Sequence, residues 1–130
     1  MVRSMTYGQR GFTLIELIVV MAIVALLLTI AVPRYFVSID RSKETVLKQS
    51  LAVMRDALDK FYGDVGRYPN DLDELVARRY LRSLPVDPLT ERADTWQIVA
   101  PPSEALKGSV YDVRSGAPGA AAGGTPYGEL

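Results

Sequence analysis

The 130-residue sequence contains neither cysteine nor histidine. Without cysteine the chain has no disulfide, no thiolate nucleophile and no sulfur-ligated zinc, although its compartment stays open because oxidising compartments permit disulfides without requiring them. Without histidine it also lacks the commonest general base, the commonest metal ligand and the usual partner of a catalytic serine. We therefore predict no catalytic residue, no metal-binding residue and no enzymatic activity.

An excess of one charge is also missing, because 15 lysines and arginines balance 15 aspartates and glutamates. Nothing in this balance favours a polyanionic partner, so we expect no nucleic acid to bind. The length is that of one small domain. If part of the chain spans a membrane, the rest can form at most one small globular head.

The apolar residues are concentrated near the N-terminus, in the run from Phe12 to Val32. Glu16 is the only charged residue in this run. As a helix the run is roughly 30 Å long, which is the thickness of a bilayer's hydrocarbon core. A backbone in lipid must satisfy its own hydrogen bonds, so we predict a transmembrane helix.

A short polar leader, MVRSMTYGQRG, precedes this helix and carries Arg3 and Arg10. An ordinary secretory signal is one alternative, but its apolar stretch covers only about 7 to 15 residues and ends at a small-x-small cleavage site. Here the apolar run is longer, and Thr29-Ile30-Ala31 is a poor match to such a site. A carboxylate in an apolar helix costs on the order of 3 kcal/mol, so Glu16 also argues against an ordinary signal.

Counting positive residues gives the opposite orientation to the one adopted below. Four of them follow the apolar helix closely, namely Arg34, Arg41, Lys43 and Lys48, against Arg3, Arg10 and the amino terminus before it. Taken alone, this count places the C-terminus inside the cell. The positive-inside rule has little force where a long domain follows the span, so the conflict does not decide the orientation.

The run Arg10-Gly11-Phe12-Thr13-Leu14-Ile15-Glu16 resembles the RGFTLIE processing motif of type IV prepilins and type II secretion pseudopilins. The resemblance implies that an aspartyl prepilin peptidase cuts between Gly11 and Phe12 and methylates the new amine of Phe12. A free ammonium at Phe12 would lie about one helical turn from Glu16, which could pair with it or with that of a neighbouring copy. A carboxylate that reaches toward the membrane interface is the alternative explanation of Glu16.

Pro33 ends the apolar run and lacks the amide that would bond back to Thr29, so the helix should bend or loosen there. The resemblance implies partial melting of the helix at this proline during filament assembly, whereas a simple kink fits the sequence equally well. The predicted assembly residues are Phe12, Glu16 and Pro33.

Beyond Pro33, apolar residues recur with spacings of three and four from Leu47 onward, which is typical of an amphipathic helix. We predict one helix from Phe12 to Tyr62, ended by Gly63 and Gly66. The apolar residues of its upper half are Phe36, Ile39, Val46, Leu47, Leu51, Met54, Leu58, Phe61 and Tyr62.

After the long helix, Asn70 or Asp71 can cap a short helix that runs to about Arg79. The prolines of segment 82–88 indicate an extended loop, and Thr95–Val99 and Val110–Arg114 suit β-strands. We therefore predict an α+β fold of the type IV pilin kind, with a small antiparallel sheet. The expected divisions are leader 1–11, transmembrane and assembly helix 12–33, head 34–119 and flexible Gly/Ala-rich tail 120–130.

The order GRYP, YLRSLPVDP, tryptophan strand and second strand is similar to the major pseudopilin of type II secretion systems. Such pseudopilins end in an aspartate-rich calcium loop, whereas this chain ends GAPGAAAGGTPYGEL, with only Asp112 and Glu129 acidic from Val110 onward. Calcium takes six to eight oxygen ligands, so we expect no cofactor and no calcium site unless backbone carbonyls build it. The tail should be flexible or pack in extended form against the sheet.

The resemblance implies a structural subunit of a periplasmic filament in a type II secretion system. It would be a single-pass protein of the bacterial inner membrane, with its C-terminal head in the periplasm. Its partners would be copies of itself, minor pseudopilins, the inner-membrane assembly platform, prepilin peptidase and membrane lipid. The alternatives are a type IV pilin or minor pilin for adhesion, motility or DNA uptake, and a secreted binding domain released by signal peptidase.

Overall fold

The structure is a computed structural model that describes residues 11–130. Two helices come first, α1 (Leu14–Val65) and α2 (Leu72–Ala77). The strands β1 (Gln97–Val99) and β2 (Asp112–Arg114) follow, and a 3-10 turn at Tyr127–Glu129 comes last. A long helix, a short helix and a two-stranded antiparallel sheet confirm the predicted α+β class. The chain divides into two compact units, one ending at Val37 and one, Ser38–Leu130, that we call the C-terminal unit.

Helix α1 starts two residues later and ends three residues later than the sequence predicts. Gly63 lies inside the helix, so its predicted role as a helix end is wrong. Gly66 does follow the end, with φ +79° and its N–H donated to the Tyr62 carbonyl at 2.8 Å. A left-handed glycine is a common helix terminator, whereas Gly63 keeps helical geometry at a modest entropic cost.

The amphipathic half of α1 carries one side of the C-terminal unit's core. Leu47, Leu51, Met54, Leu58 and Phe61 are each at most 1% exposed. Their spacings of four and three place them on one helix face, as predicted, and each contributes on the order of 2 kcal/mol by burial. Two other apolar residues of the predicted stretch lie outside this face: Val46 is 47% exposed and Tyr62 is 37% exposed.

The other side of the core comes from α2, the sheet and the loops between them. Its buried residues include Leu72, Leu75, Leu81, Trp96, Val110 and Val113. Asp71 caps α2 by accepting the Glu74 N–H at 2.8 Å, which selects Asp71 over Asn70 as the cap. The helix ends at Ala77 and not near Arg79, because Arg79 adopts φ +65°, outside the helical region.

The two predicted strands exist and pair antiparallel, with Ile98 opposite Val113. Both end where predicted but start two residues later, β1 at Gln97 and β2 at Asp112. The Val110 N–H bonds to the Pro69 carbonyl at 3.0 Å, so that amide is used outside the sheet.

Residues 120–130 are packed against the rest of the C-terminal unit. Ala120 bridges to Pro126, and Ala121 is 7% exposed with its N–H donated to the Thr125 carbonyl at 2.8 Å. Tyr127 and Leu130 pack against the core. Of the two expectations for this tail, flexible or packed against the head, these contacts favour the packed arrangement.

Candidate functional site

The predicted processing bond lies just outside helix α1. Gly11, Phe12 and Thr13 have no regular secondary structure, and α1 begins at Leu14. Phe12 is 91% exposed, and a Cβ built on Gly11 would meet no atom within 4 Å. The bond between Gly11 and Phe12 therefore lies outside regular secondary structure and is uncovered by the described residues. Leader residues 1–10, including Arg3 and Arg10, lie outside the part of the chain that the structure describes.

Thr13 and Glu16 form a reciprocal cap at the start of α1. The Glu16 N–H donates to Thr13 Oγ1, and the Thr13 N–H donates to Glu16 Oε2, both at 3.2 Å. The Leu17 N–H then closes the first helical turn on the Thr13 carbonyl at 3.1 Å. This is a capping box, in which two amides at the helix start that have no helical partner find side-chain acceptors.

The capping box bears directly on the predicted pairing of Glu16. In the uncut chain the nitrogen of Phe12 is a peptide amide, and the Glu16 carboxylate bonds to the amide of Thr13 instead. A carboxylate and the first amides of a helix attract each other, so the arrangement is favourable before any processing. The structure thus places Glu16 within one turn of Phe12 but pairs it with Thr13.

The apolar run of α1 has no cover from the described residues. Every large apolar side chain from Leu14 to Val32 is at least 44% exposed. By length and composition the helix is able to cross a membrane, and its most apolar stretch is entirely unburied. Such a surface needs lipid or other apolar helices around it.

Pro33 lies inside α1, and the helix continues on both sides of it. Its ring removes one amide from the helical hydrogen-bond ladder, which weakens the helix locally without ending it. Because Pro33 has no amide hydrogen, it leaves the Thr29 carbonyl without its helical donor. The Thr29 hydroxyl itself donates to the Ala25 carbonyl, one turn earlier, at 2.8 Å. Melting at Pro33 during assembly stays a prediction.

The GRYP segment has a structural role in the C-terminal unit. Arg67 donates to Glu74 Oε1 at 2.6 Å, and Glu74 Oε2 also accepts the Asn70 N–H at 2.7 Å. The bond from Arg67, helped by the one from Asn70, lowers the pKa of Glu74 below its ordinary value. Gly108 has φ +103°, and a Cβ there would collide with the main chain of Tyr68. These contacts fasten the turn after α1 to α2 and to the loop that precedes β2.

The LPVDP segment is equally structural. The Trp96 indole N–H donates to the Pro85 carbonyl at 2.8 Å. Asp87 is fully buried, and its two carboxylate oxygens accept the Leu89 N–H at 2.9 Å and the Ser115 hydroxyl at 2.6 Å. A buried carboxylate is tolerated when its oxygens are hydrogen-bonded in this way.

Asp112 and Glu129, the acidic residues that the sequence suggests for calcium, do not belong to a metal-binding group of acidic side chains. Within residues 11–130 no group of three or more Asp and Glu side chains is placed to hold a metal ion. Asp112 Oδ1 accepts from Arg55 Nε at 2.8 Å and from the Val113 N–H at 2.8 Å. Glu129 lies exposed in the 3-10 turn. The two carboxylates considered for calcium are thus not brought together into an acidic cluster.

Two residues of importance were missed from the sequence. Thr13 precedes Glu16 by three positions, which is the local signature of a capping box and was available to sequence reasoning. Arg55 is a charged residue in the amphipathic half of α1, and its guanidinium reaches β2 and the C-terminal segment. No local signal identifies a partner that lies 57 residues away.

The chain matches the family described as "Prokaryotic N-terminal methylation motif" over residues 7–32. This segment contains the capping box and the whole apolar run from Phe12 to Val32. It agrees with the processing motif that the sequence resembles.

Matches to whole proteins extend over the C-terminal unit. The type II secretion system core protein G of Pseudomonas aeruginosa is 34% identical over 109 residues, 72% of this chain and 75% of that protein. The protein of the same name from Klebsiella michiganensis is 29% identical over 110 residues, 72% of this chain and 75% of the relative. The type IV major pilin PilA of Myxococcus xanthus is 38% identical over 67 residues, 52% of this chain but 30% of the pilin. None of these three relatives is named as an enzyme.

No solved structure matches the chain significantly. The secretion-system relatives carry the assignment, because each match covers 72% of this chain and 75% of the relative. Together with the methylation motif and the apolar helix, this similarity shows that the chain belongs to the family of the type II secretion system core protein G, the pseudopilins.

Proposed function

We propose that the chain is the structural subunit of a periplasmic filament in a type II secretion system, built from a pool held in the inner membrane. The observation that carries this proposal is the uncovered apolar stretch of α1 behind a prepilin-type motif. The apolar surface of such a helix is covered by lipid before assembly and by copies of the same helix afterwards. We assign no catalytic step to the chain.

The proposed orientation places the leader in the cytoplasm and the C-terminal unit in the periplasm. Prepilin peptidase would cut the exposed bond between Gly11 and Phe12 and methylate the amine of Phe12. The position of Gly11 outside the helix, with no described atom close to it, supports access by a peptidase. Membrane lipid, the inner-membrane assembly platform and minor pseudopilins are the further proposed partners.

Glu16 would then exchange partners. Before processing its carboxylate accepts the Thr13 N–H, and after processing the ammonium of Phe12 becomes available within one turn. In an apolar filament core, a pair of opposite charges costs far less than two separate ones. Pairing of Glu16 with the Phe12 ammonium, in its own or a neighbouring copy, would set the register between subunits.

We also propose that the C-terminal unit folds without calcium or another cofactor. The supporting observation is that Asp112, the acidic residue nearest a possible site, is already bonded to Arg55. A calcium site built on only two carboxylates would need most of its ligands from main-chain carbonyls and water.

The proposal is tested by deleting the gene in its host and restoring it on a plasmid, with Glu16→Ala and Asp40→Ala as paired variants. Asp40 is also an exposed acid of α1, but it lies beyond the apolar run. We expect secreted proteins to accumulate in the periplasm of the deletion strain and of the Glu16 variant, and to reach the medium with Asp40→Ala. Normal secretion by the deletion strain would contradict the proposed function.

A type IV pilin is the second candidate, and the match to the Myxococcus xanthus pilin over 52% of this chain favours it. The same deletion strain separates the two functions. Loss of surface pili or of surface motility with secretion intact would indicate a pilin.

A further inference from the structure

Arg55 lies at the meeting point of three separate chain segments. Its Nε donates to Asp112 Oδ1 at 2.8 Å, and its Nη2 donates to the carbonyl of Val113 at 3.2 Å and to that of Leu130 at 2.8 Å. The side chain is 38% exposed and that of Asp112 is 29% exposed, so water reaches the ion pair only in part. One side chain thus links α1 to β2 and to the end of the described chain.

The segment that Arg55 reaches is residues 115–130, which we call the C-terminal strap. At its start the Ser115 hydroxyl donates to Asp87 Oδ2 at 2.6 Å, and in its middle the Ala122 N–H donates to Glu44 Oε2 at 3.3 Å. Leu130, at its end, is held by Arg55. Between these points Ala121 and the ring of Tyr127 pack inward. The strap therefore has three attachment points, two of them on α1.

The attachment at Arg55 is made by a positively charged donor, whereas the other two are made through the carboxylates of Asp87 and Glu44. A guanidinium offers several N–H groups in a fixed plane, and hydrogen bonds with a charged donor are stronger than neutral ones. Its partners are one carboxylate oxygen and two carbonyl oxygens, the same kinds of oxygen that a hard metal ion takes as ligands. A permanently charged side chain can therefore gather these segments without a bound ion.

We propose that Arg55 is an internal cation that fastens the C-terminal strap to α1 and β2, in the role that a bound metal ion would otherwise fill. The strap stays closed in the absence of divalent ions, and the inward packing of Ala121 and Tyr127 is fixed by the protein alone. The proposal rests on these contacts and holds for either filament type.

The test is amide hydrogen exchange of the full chain in detergent micelles, with and without a calcium chelator. The reporters are amides bonded within the strap, those of Ala121, Gly124 and Tyr127, and the references are amides of α1 around Leu51 and Phe61. Arg55→Met should speed exchange in the strap by about ten-fold or more and leave the reference amides unchanged. Arg92→Met, which breaks an exposed ion pair with Asp94, is the matched control and should leave the strap unchanged.

Arg55→Lys keeps the charge but cannot present a planar fork to three oxygens, so its strap should exchange at an intermediate rate. This variant decides the matter if Arg55→Met unfolds the whole C-terminal unit. Strap exchange equal to wild type in both Arg55 variants would overturn the proposal, as would an equal rise across the reference amides in the lysine variant. Opening of the wild-type strap by chelator alone would show that a metal ion fastens it, and would also overturn the proposal.

Discussion

Thr13 and Glu16 satisfy each other's main-chain N–H groups at the first turn of α1, with both hydrogen bonds 3.2 Å long. The bond that we propose for processing lies immediately before this pair, outside the helix. Both residues follow the proposed bond, so cleavage there would leave them in the chain. The Thr13 hydroxyl would still accept the Glu16 N–H when the Glu16 carboxylate exchanges the Thr13 N–H for the Phe12 ammonium.

Processing should leave phenylalanine as the first residue of the mature protein. We expect cleavage between Gly11 and Phe12 and one methyl group on the new amine, because the bond lies outside the helix and the motif is of the prepilin type. Mass spectrometry of the mature N-terminal peptide measures both. An N-terminus at or after Val32 would show release by ordinary signal peptidase and would rule out the membrane filament.

Glu16→Ala should leave processing and the C-terminal unit largely intact but block filament growth. The variant removes the carboxylate that we propose as the partner of the Phe12 ammonium, while the core of Ser38–Leu130 keeps all its contacts. Filament yield by electron microscopy is the measurement, with Asp40→Ala as the control. A yield equal to wild type would count against the charge pairing.

Phe61→Ala should destabilise the C-terminal unit strongly. Phe61 is fully buried and packs edge-on against Tyr80 with ring centroids 5.3 Å apart. Truncation leaves a cavity, and we expect a loss of about 3–5 kcal/mol in the free energy of unfolding. Val53 lies on the same helix and is 47% exposed, so Val53→Ala should change the free energy of unfolding by about 0.5 kcal/mol or less. Chemical denaturation followed by tryptophan fluorescence distinguishes these outcomes, and equal effects would contradict the assigned core.

Glu74 should make stability depend on pH in the acidic range. Its pKa is lowered in the folded state from the ordinary value of 4.5 by hydrogen bonds from Arg67 and Asn70. The carboxylate therefore contributes stability above the unfolded pKa, and this contribution is lost as pH falls through the lowered folded pKa.

Glu74→Gln should consequently lose less stability than wild type between about pH 5 and pH 3. Asp94→Asn is the comparison: the pKa of Asp94 is also lowered, by Arg92, but both side chains are largely exposed and their pair contributes little. Thermal melting across this pH range measures the slopes. A slope for Glu74→Gln as steep as that of wild type would exclude the role of the Arg67 pair.

Calcium should leave the melting temperature of the chain almost unchanged. A ligand present at about 100 times its Kd stabilises a folded state by about 2.7 kcal/mol, which would raise melting by several degrees. The melts are compared in chelator and in millimolar calcium. A rise of several degrees would show that carbonyl oxygens together with Asp112 or Glu129 form a site.

Local patterns predicted most of the fold. The spacing from Leu47 to Phe61 identified the buried face of α1, and turn residues placed both strands, since these signals act between near neighbours in the chain. The end of α1 was misplaced because Gly63 and Gly66 carry the same sequence signal, and only Gly66 adopts the left-handed conformation.

The candidate site likewise contains residues that local sequence patterns predict and a residue that they do not. Phe12 and Glu16 follow from a contiguous motif, and the Thr13 cap could have been found from its spacing to Glu16. Arg55 could not, because its partners Asp112 and Leu130 lie 57 and 75 residues away. Contacts at such separations depend on how the segments between them fold, and no local pattern records them.

The uncovered apolar stretch of α1 has a further consequence for how a filament would grow. A helix that exposes every large apolar side chain between Leu14 and Val32 cannot diffuse freely through water, so unassembled subunits move in the plane of a bilayer. Collisions in two dimensions depend on the number of subunits per unit area of membrane. Elongation should therefore respond to crowding of the membrane surface, and a cell could slow growth by diluting subunits over more membrane without making fewer of them.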